Sequence, residues 1–154
     1  MSFDTPNGTK GARQPSAGRL MRWFNKFAMN RIRKGGKFTG GMNALVLTTV
    51  GRKSGIERST PVGYFLGRDG SWLIVASAAG APKNPVWYYN IAAHPDKVQI
   101  ELAGRKVAVT AEQLHGPARE EAWRQITAAA PRFAQYQQKT DRELPIICLS
   151  PRSA

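Results

Sequence analysis

The sequence predicts a mainly β chain with added helices, an α+β fold built on an antiparallel sheet or barrel. Three observations predict it. Six short segments rich in branched and aromatic residues recur between residues 44 and 150, turn signals of hairpin size separate them, and only two helical stretches interrupt the series. A doubly wound parallel sheet would need a helix between most strand pairs, which this order does not supply.

Residues 1–15 are polar and rich in Gly, Pro and basic residues, which predicts a disordered basic tail. Over 16–34 the apolar residues Leu20, Met21, Phe24, Phe27, Ala28 and Ile32 recur three and four apart, with Arg19, Arg22, Lys26 and Arg33 largely off that face. This is the pattern of a basic amphipathic helix, able to pack on the domain or to lie on an anionic membrane. GGKFTGG at 35–41 ends it, and one domain is expected over 40–150. Its predicted strands are 44–50, 60–66, 72–79, 97–103, 106–114 and 145–150, with GRDGS at 67–71 as a hairpin loop and AGRK at 103–106 as a tight connection. The predicted helices are 84–94, with Asn84 as N-cap and Pro85 in the first turn, and 117–130.

A chain of 154 residues is one domain's worth, and a single cysteine excludes an internal disulfide framework. The opening residues lack the apolar core of a signal peptide, and no apolar run is long enough to span a bilayer, so a cytoplasmic protein is expected, peripheral on the inner face of the membrane if the helix binds lipid. The net charge of +13 is uneven: residues 1–41 hold nine cations against one acid. A nucleic-acid groove would spread that excess along the domain, so no nucleic acid is expected as partner.

The chemistry concentrates in two stretches. In TTVGRKSGIERSTP, residues 48–61, three cations (Arg52, Lys53, Arg58) stand among glycines and hydroxyls, a composition that suits an anion. It is not a phosphate loop of the Walker kind, since three residues separate the glycines and Ile56-Glu57 follows the second. In VASAAGAPKNPVWYYNI, residues 75–91, the small residues from Ala76 to Ala81 let another molecule approach the backbone, and Trp87 and Tyr88 can wall a flat ring. Catalytic groups of the usual kinds are scarce. His94 reads as a helix cap, His115 as a loop residue, Cys148 as inert core, and the two histidines and one cysteine make no metal-ligand set. An enzyme whose cofactor performs the chemistry tolerates that poverty.

Together with PRFAQYQQKTDRELPIICL, residues 131–149, these stretches resemble the deazaflavin-dependent nitroreductases of actinobacteria, also described as F420H2-dependent quinone reductases, over residues 40–150. GRKSG followed by NPxWYxN at this spacing carries the resemblance. It implies a split β-barrel of the FMN-binding kind, reduced coenzyme F420 as hydride donor, and quinone-like or other planar conjugated acceptors, with a peripheral membrane location for some members. By position, Arg52, Lys53, Ser54 and Arg58 would grip the coenzyme's phosphate and acidic polyglutamate tail. Thr60, Pro61, Ser77, Ala78, Ala79 and Gly80 would border the deazaflavin, Trp87, Tyr88 and Asn90 would finish the pocket, and Thr48, Ser59 and Ala76 complete the set. Phe133 and Tyr136 would lie on the acceptor side, with Tyr136 or water supplying a proton. The family's prodrug-activating member has tyrosines where Ala130 and Phe133 stand, so the resemblance implies a more apolar acceptor pocket here, one that favours planar hydrophobic acceptors over polar nitroheterocycles. Two other readings stay open: a non-enzymatic module binding anionic membrane or nucleic acid through residues 1–37, and an FMN enzyme on the same fold.

Overall fold

The computed structural model describes residues 3–12, 19–35 and 43–152. The side chains of Leu20, Met21 and Phe24, and residues 36–41 of the GGKFTGG stretch, lie outside the described residues.

Seven strands, β1 (Ala44–Val50), β2 (Glu57–Gly63), β3 (Phe65–Leu66), β4 (Trp72–Val75), β5 (Val98–Leu102), β6 (Arg105–Gln113) and β7 (Ile146–Pro151), form one sheet in the order β2-β1-β5-β6-β7-β4-β3. Every pairing is antiparallel. β2 and β3 are the two edges of the sheet yet almost consecutive in the chain, so the sheet curls until β2 approaches β4 without bonding to it. The barrel is split along that seam.

The period-2 alternation of strand side chains sorts the core. Leu45 and Leu47 of β1, Ile74 of β4, Ile100 of β5, Val109 of β6, and Ile147 and Leu149 of β7 point inward, where Tyr88 and Ile91 fill the barrel from α2 (Val86–Ala93). The opposite faces of β4 and β7 present Leu73, Val75 and Ile146, covered by α3 (Gly116–Ala129) and α4 (Arg132–Lys139) through Ala122, Ile126 and Phe133. Burial on both faces explains why WLIV reads as a continuous apolar run. Ala44 and Val46, on the outer face of β1, meet Met29 and Ile32 of α1 (Arg19–Arg33).

The connection between β5 and β6 is the tight one expected: Leu102 pairs with Arg105, and Ala103 (φ 48°) and Gly104 (φ 76°) both take the left-handed conformation that a two-residue hairpin needs. Elsewhere the structure corrects the sequence reading. The segment 60–66 divides into β2 and β3 at Tyr64. β4 stops at Val75 rather than continuing to residue 79, because Ser77 turns helical (ψ −34°) and Ala78 and Ala79 turn left-handed (φ 46° and 54°). Asn84 does not cap α2; Pro85 holds that position, and Asn84 is buried in a polar network. Residues 132–139 form a further helix beyond the two predicted between residues 44 and 150. Phe27, placed on the packing stripe, is 60% exposed and stacks on Trp23, while Ile32 and Met29 dock the helix. Cys148 is not core but half-buried, on the outer face of β7 near Ser150.

Residues 3–12, read as a disordered tail, lie across the domain. Phe3 packs edge-on against Tyr88, Gly8 N–H donates to Pro82 O at 2.7 Å and Ala12 N–H to Gly80 O at 2.9 Å. Backbone bonding of this kind needs no apolar side chains, so hydropathy gave no sign of it.

Candidate functional site

The basic stretch is the β1–β2 hairpin. Val50 pairs with Glu57, and the loop between them closes on itself through Gly51 N–H to Ile56 O (2.8 Å) and Gly55 N–H to Gly51 O (2.9 Å). Gly55 sits at φ 71°, which glycine adopts without the penalty other residues incur. Arg52, Lys53, Ser54 and Arg58 are all exposed. Asn90 is buried beneath them: its Oδ1 accepts from Arg52 N–H at 3.1 Å and its Nδ2 donates to Thr49 Oγ1 at 3.2 Å. Asn90 therefore fixes the hairpin to α2 from inside. The Arg52 guanidinium lies over the Tyr89 ring, 4.8 Å from its centroid. Thr48 and Ser59, paired across the strands, share a hydroxyl hydrogen bond of 2.8 Å.

β2 runs from this hairpin to a groove of about 270 Å³ at the barrel seam. Pro61, Val62 and Gly63 form one wall, Val75, Ser77, Ala78 and Ala79 the other, with Pro85, Trp87 and Phe133 completing it. Six of the residues singled out in the sequence thus converge: Pro61, Ser77, Ala78, Ala79, Trp87 and Phe133. Among the lining residues none carries a titratable side chain. Ala76 and Gly80 are buried behind the turn. Gly80, at φ 85°, has no room for a side chain, since a Cβ there would stand 2.8 Å from Tyr136 O. A wider groove of about 590 Å³ between α3 and the outer sheet face, lined in part by Leu73, Leu114 and Cys148, collects none of the predicted residues.

Two candidates fall elsewhere. Tyr88 is 1% exposed, inside the barrel, with its hydroxyl donating to Gln113 Oε1 at 2.6 Å and accepting from Thr5 N–H at 3.2 Å. Burial pushes its pKa up. It braces the core instead of walling the groove; helical spacing beside Trp87 turns it about 100° away. Tyr136 does not line the groove either. It stands edge-on behind Phe133, ring centroids 5.5 Å apart, with the Lys139 ammonium over its ring.

Val62, Val75 and Pro85 line the groove without having been named among its candidates, and Arg142, which ties Asn84 to the turn at Ala76 and Ser77, was not singled out at all. Branched strand residues read only as strand, and Arg142 in KTDRE reads as a solvated charge. The helical spacing of Phe133 and Tyr136 after Pro131 was the available signal for α4. No group of three or more His, Cys, Asp or Glu gathers to hold a metal among the described residues, and none of their helices is long and apolar enough to cross a membrane.

The architecture matches solved structures. It resembles HutZ of Vibrio cholerae (TM-score 0.52, 14% identity, 89% of this chain and 93% of that one), a likeness of fold alone. A solved F420-H2 dependent reductase, FDR-A, is nearer: TM-score 0.62 at 36% identity, covering 70% of this chain and 93% of that one. The protein is therefore a split β-barrel of the kind that includes F420H2-dependent reductases. The F420H2-dependent quinone reductase Rv1261c of Mycobacterium tuberculosis is 37% identical over 124 residues, 78% of this chain and 81% of that protein. A family profile described as F420H(2)-dependent quinone reductase matches residues 20–151, and the chain belongs to that family.

Proposed function

We propose that this chain passes a hydride from reduced coenzyme F420 to a quinone-like, planar conjugated acceptor, with the coenzyme laid along β2 from the basic hairpin to the seam groove. One observation carries the reading. The exposed cations of the hairpin and the small-residue groove lie at opposite ends of a single strand, a polyanion site and a ring site in series.

The residues present fit the coenzyme. Arg52, Lys53 and Arg58 suit a phosphate and an acidic tail, with Ser54, Ser59, Thr48 and Thr60 adding hydroxyls. The groove, free of titratable side chains, suits an uncharged tricycle approached from the backbone side of Ser77, Ala78 and Ala79. Bound there, reduced F420 supplies the hydride as a two-electron donor. The chain's own work is positioning and shielding. Trp87 and Phe133 exclude water, and Phe133 is held in place by edge-on contacts with Phe65 and Tyr136 at 5.7 and 5.5 Å. The proton that completes reduction comes from solvent, and Tyr136 acts on the acceptor only through Phe133. With Ala130 and Phe133 buried and apolar, hydrophobic acceptors are favoured over polar nitroheterocycles.

Mixing the protein with reduced F420 and a soluble quinone, and following the return of the oxidised coenzyme's absorbance, tests this. Recovery faster than in protein-free controls is expected; an identical time course would remove the enzymatic reading.

A peripheral station on the inner face of the cell membrane rests on α1. Trp23 and Phe27, each 60% exposed and stacked with centroids 6.0 Å apart, stand beside the exposed Lys26 and Arg31. The protein should sediment with phosphatidylglycerol vesicles more than with phosphatidylcholine ones, and Phe27→Ser should weaken that. Equal sedimentation with both would count against a charge-assisted membrane site.

A further inference from the structure

The turn that borders the groove is held by a side chain from the far end of the chain. Arg142 is 3% exposed. Its Nε donates to Ala81 O at 3.0 Å, Nη1 to Ala76 O at 2.9 Å and to Asn84 Oδ1 at 2.9 Å, and Nη2 to Ser77 O at 2.7 Å. All four acceptors are neutral, and burial pushes the guanidinium's pKa down. A buried cation held only by carbonyl dipoles is a costly arrangement. The adjacent Asp141 does not relieve it. Its carboxylate accepts from Thr9 N–H at 2.7 Å, from the Thr9 hydroxyl and from Lys10 N–H at 3.3 Å.

The cost has a geometric return. Arg142 bonds to Ser77 and Ala81, which flank the left-handed run from Ala78 to Gly80, and left-handed backbone is a conformation that alanine leaves readily when nothing restrains it. Only a planar fork with fixed donors reaches carbonyls at both ends at once; a lysine ammonium does not. Residues 3–12 close over the same turn. Ala12 N–H reaches Gly80 O, Gly8 N–H reaches Pro82 O, and Asn7 and Thr5 bond Asn84, the partner of Arg142. A Cβ at Gly11 would lie 2.4 Å from Gly80 O, so glycine is what lets the segment lie flat there.

We propose that Arg142 is a positioning residue for the coenzyme groove: a guanidinium staple across both ends of the Ala76–Ala81 turn, sealed from water by residues 3–12. The inference rests on the reading of the groove as the deazaflavin site, and the test separates the two. In full-length Arg142→Lys, amide exchange at Gly80 and Ala81 is measured without coenzyme, alongside fluorescence titration with F420 and steady-state kinetics. Exchange at those two amides should quicken about tenfold or more while Leu47 is unchanged, and the F420 Kd should rise about tenfold. KM for the coenzyme should rise by more than kcat falls. Ala79→Gly added to Arg142→Lys should recover much of the affinity, because glycine enters positive φ freely.

Wild-type exchange and wild-type Kd in folded Arg142→Lys would overturn the proposal. If that variant does not fold, Thr9→Ala loosens only the covering segment. About a threefold change in the same exchange and Kd is then expected, and no change overturns the proposal. If wild-type protein takes up no F420, the functional reading fails on its own, and exchange alone decides whether Arg142 staples the turn.

Discussion

The hairpin loop at 51–56 and the turn at 76–81 stand at the two ends of the proposed coenzyme path, and they are held in opposite ways. The hairpin carries its chemistry on exposed side chains, with a single buried amide, Asn90, fixing its root. The turn carries almost none on its side chains. It offers backbone and small residues, and its shape is imposed from behind by a buried cation. Charges in water are screened and partly interchangeable, so the first end should lose function by degrees. A strained turn under a close-packed helix should lose it abruptly.

Gly80→Ala should show the abrupt case, and it is the largest effect expected. The new methyl meets Tyr136 O at 2.8 Å and Lys139 Cβ at 3.1 Å in a backbone at φ 85°. Displacing α4 should cost roughly 2 kcal/mol or more in chemical denaturation and take F420 affinity with it. Asn90→Ala tests the root of the hairpin. It leaves Thr49 Oγ1 and Arg52 N–H without their buried partner, so a loss of about 1–2 kcal/mol is expected by the same measurement. F420 Kd should rise severalfold as the hairpin loosens.

Tyr88→Phe sharpens the contrast from the core. It deletes the bond to Gln113 and the acceptor for Thr5 N–H, costing about 1 kcal/mol, while the F420 Kd should stay near wild type. A Kd that rises with unchanged stability would return Tyr88 to the groove wall. The smallest effect is acid-dependent. The Thr9 hydroxyl, then its N–H, hold the Asp141 carboxyl down from 3.8 to about 2. A depressed carboxyl pKa lends stability that is present above the unfolded value and lost as pH falls through the folded one. Anchoring of residues 3–12 should therefore weaken between about pH 4 and 2, seen as faster exchange at Gly8 and Ala12. Asp141→Asn should flatten that dependence.

The same contrast explains how far the sequence could be read. The strand periods of ALVLTTV and KVQIELA, the AGRK connection and the exposed cations of GRKSG are local, and each was visible where it stands. The convergence of Pro61, Ser77, Ala78, Ala79, Trp87 and Phe133 was legible through the resemblance to a family. What stayed hidden depends on partners distant in the chain. Arg142 looks like a loop charge and Asn84 like a helix cap until the turn between Ala76 and Ala81 folds around them, and the docking of residues 3–12 is backbone bonding with no hydropathic signature. Tyr88 was misplaced because ring chemistry reads the same on either face of a helix. In α4, the glutamines and lysine outnumber Phe133 and Tyr136 and mask its short apolar face.

If the hairpin cations and the seam groove are two ends of one coenzyme site, loss of charge at the hairpin must weaken binding of the whole coenzyme. Calorimetric titration of wild-type protein and Lys53→Ala/Arg58→Ala with F420 of short and long polyglutamate tails addresses it most directly. Uptake by the wild type is expected, with a Kd about tenfold or more weaker in the double variant and a gap that widens as the tail lengthens. Equal affinities for wild type and variant at every tail length would contradict it.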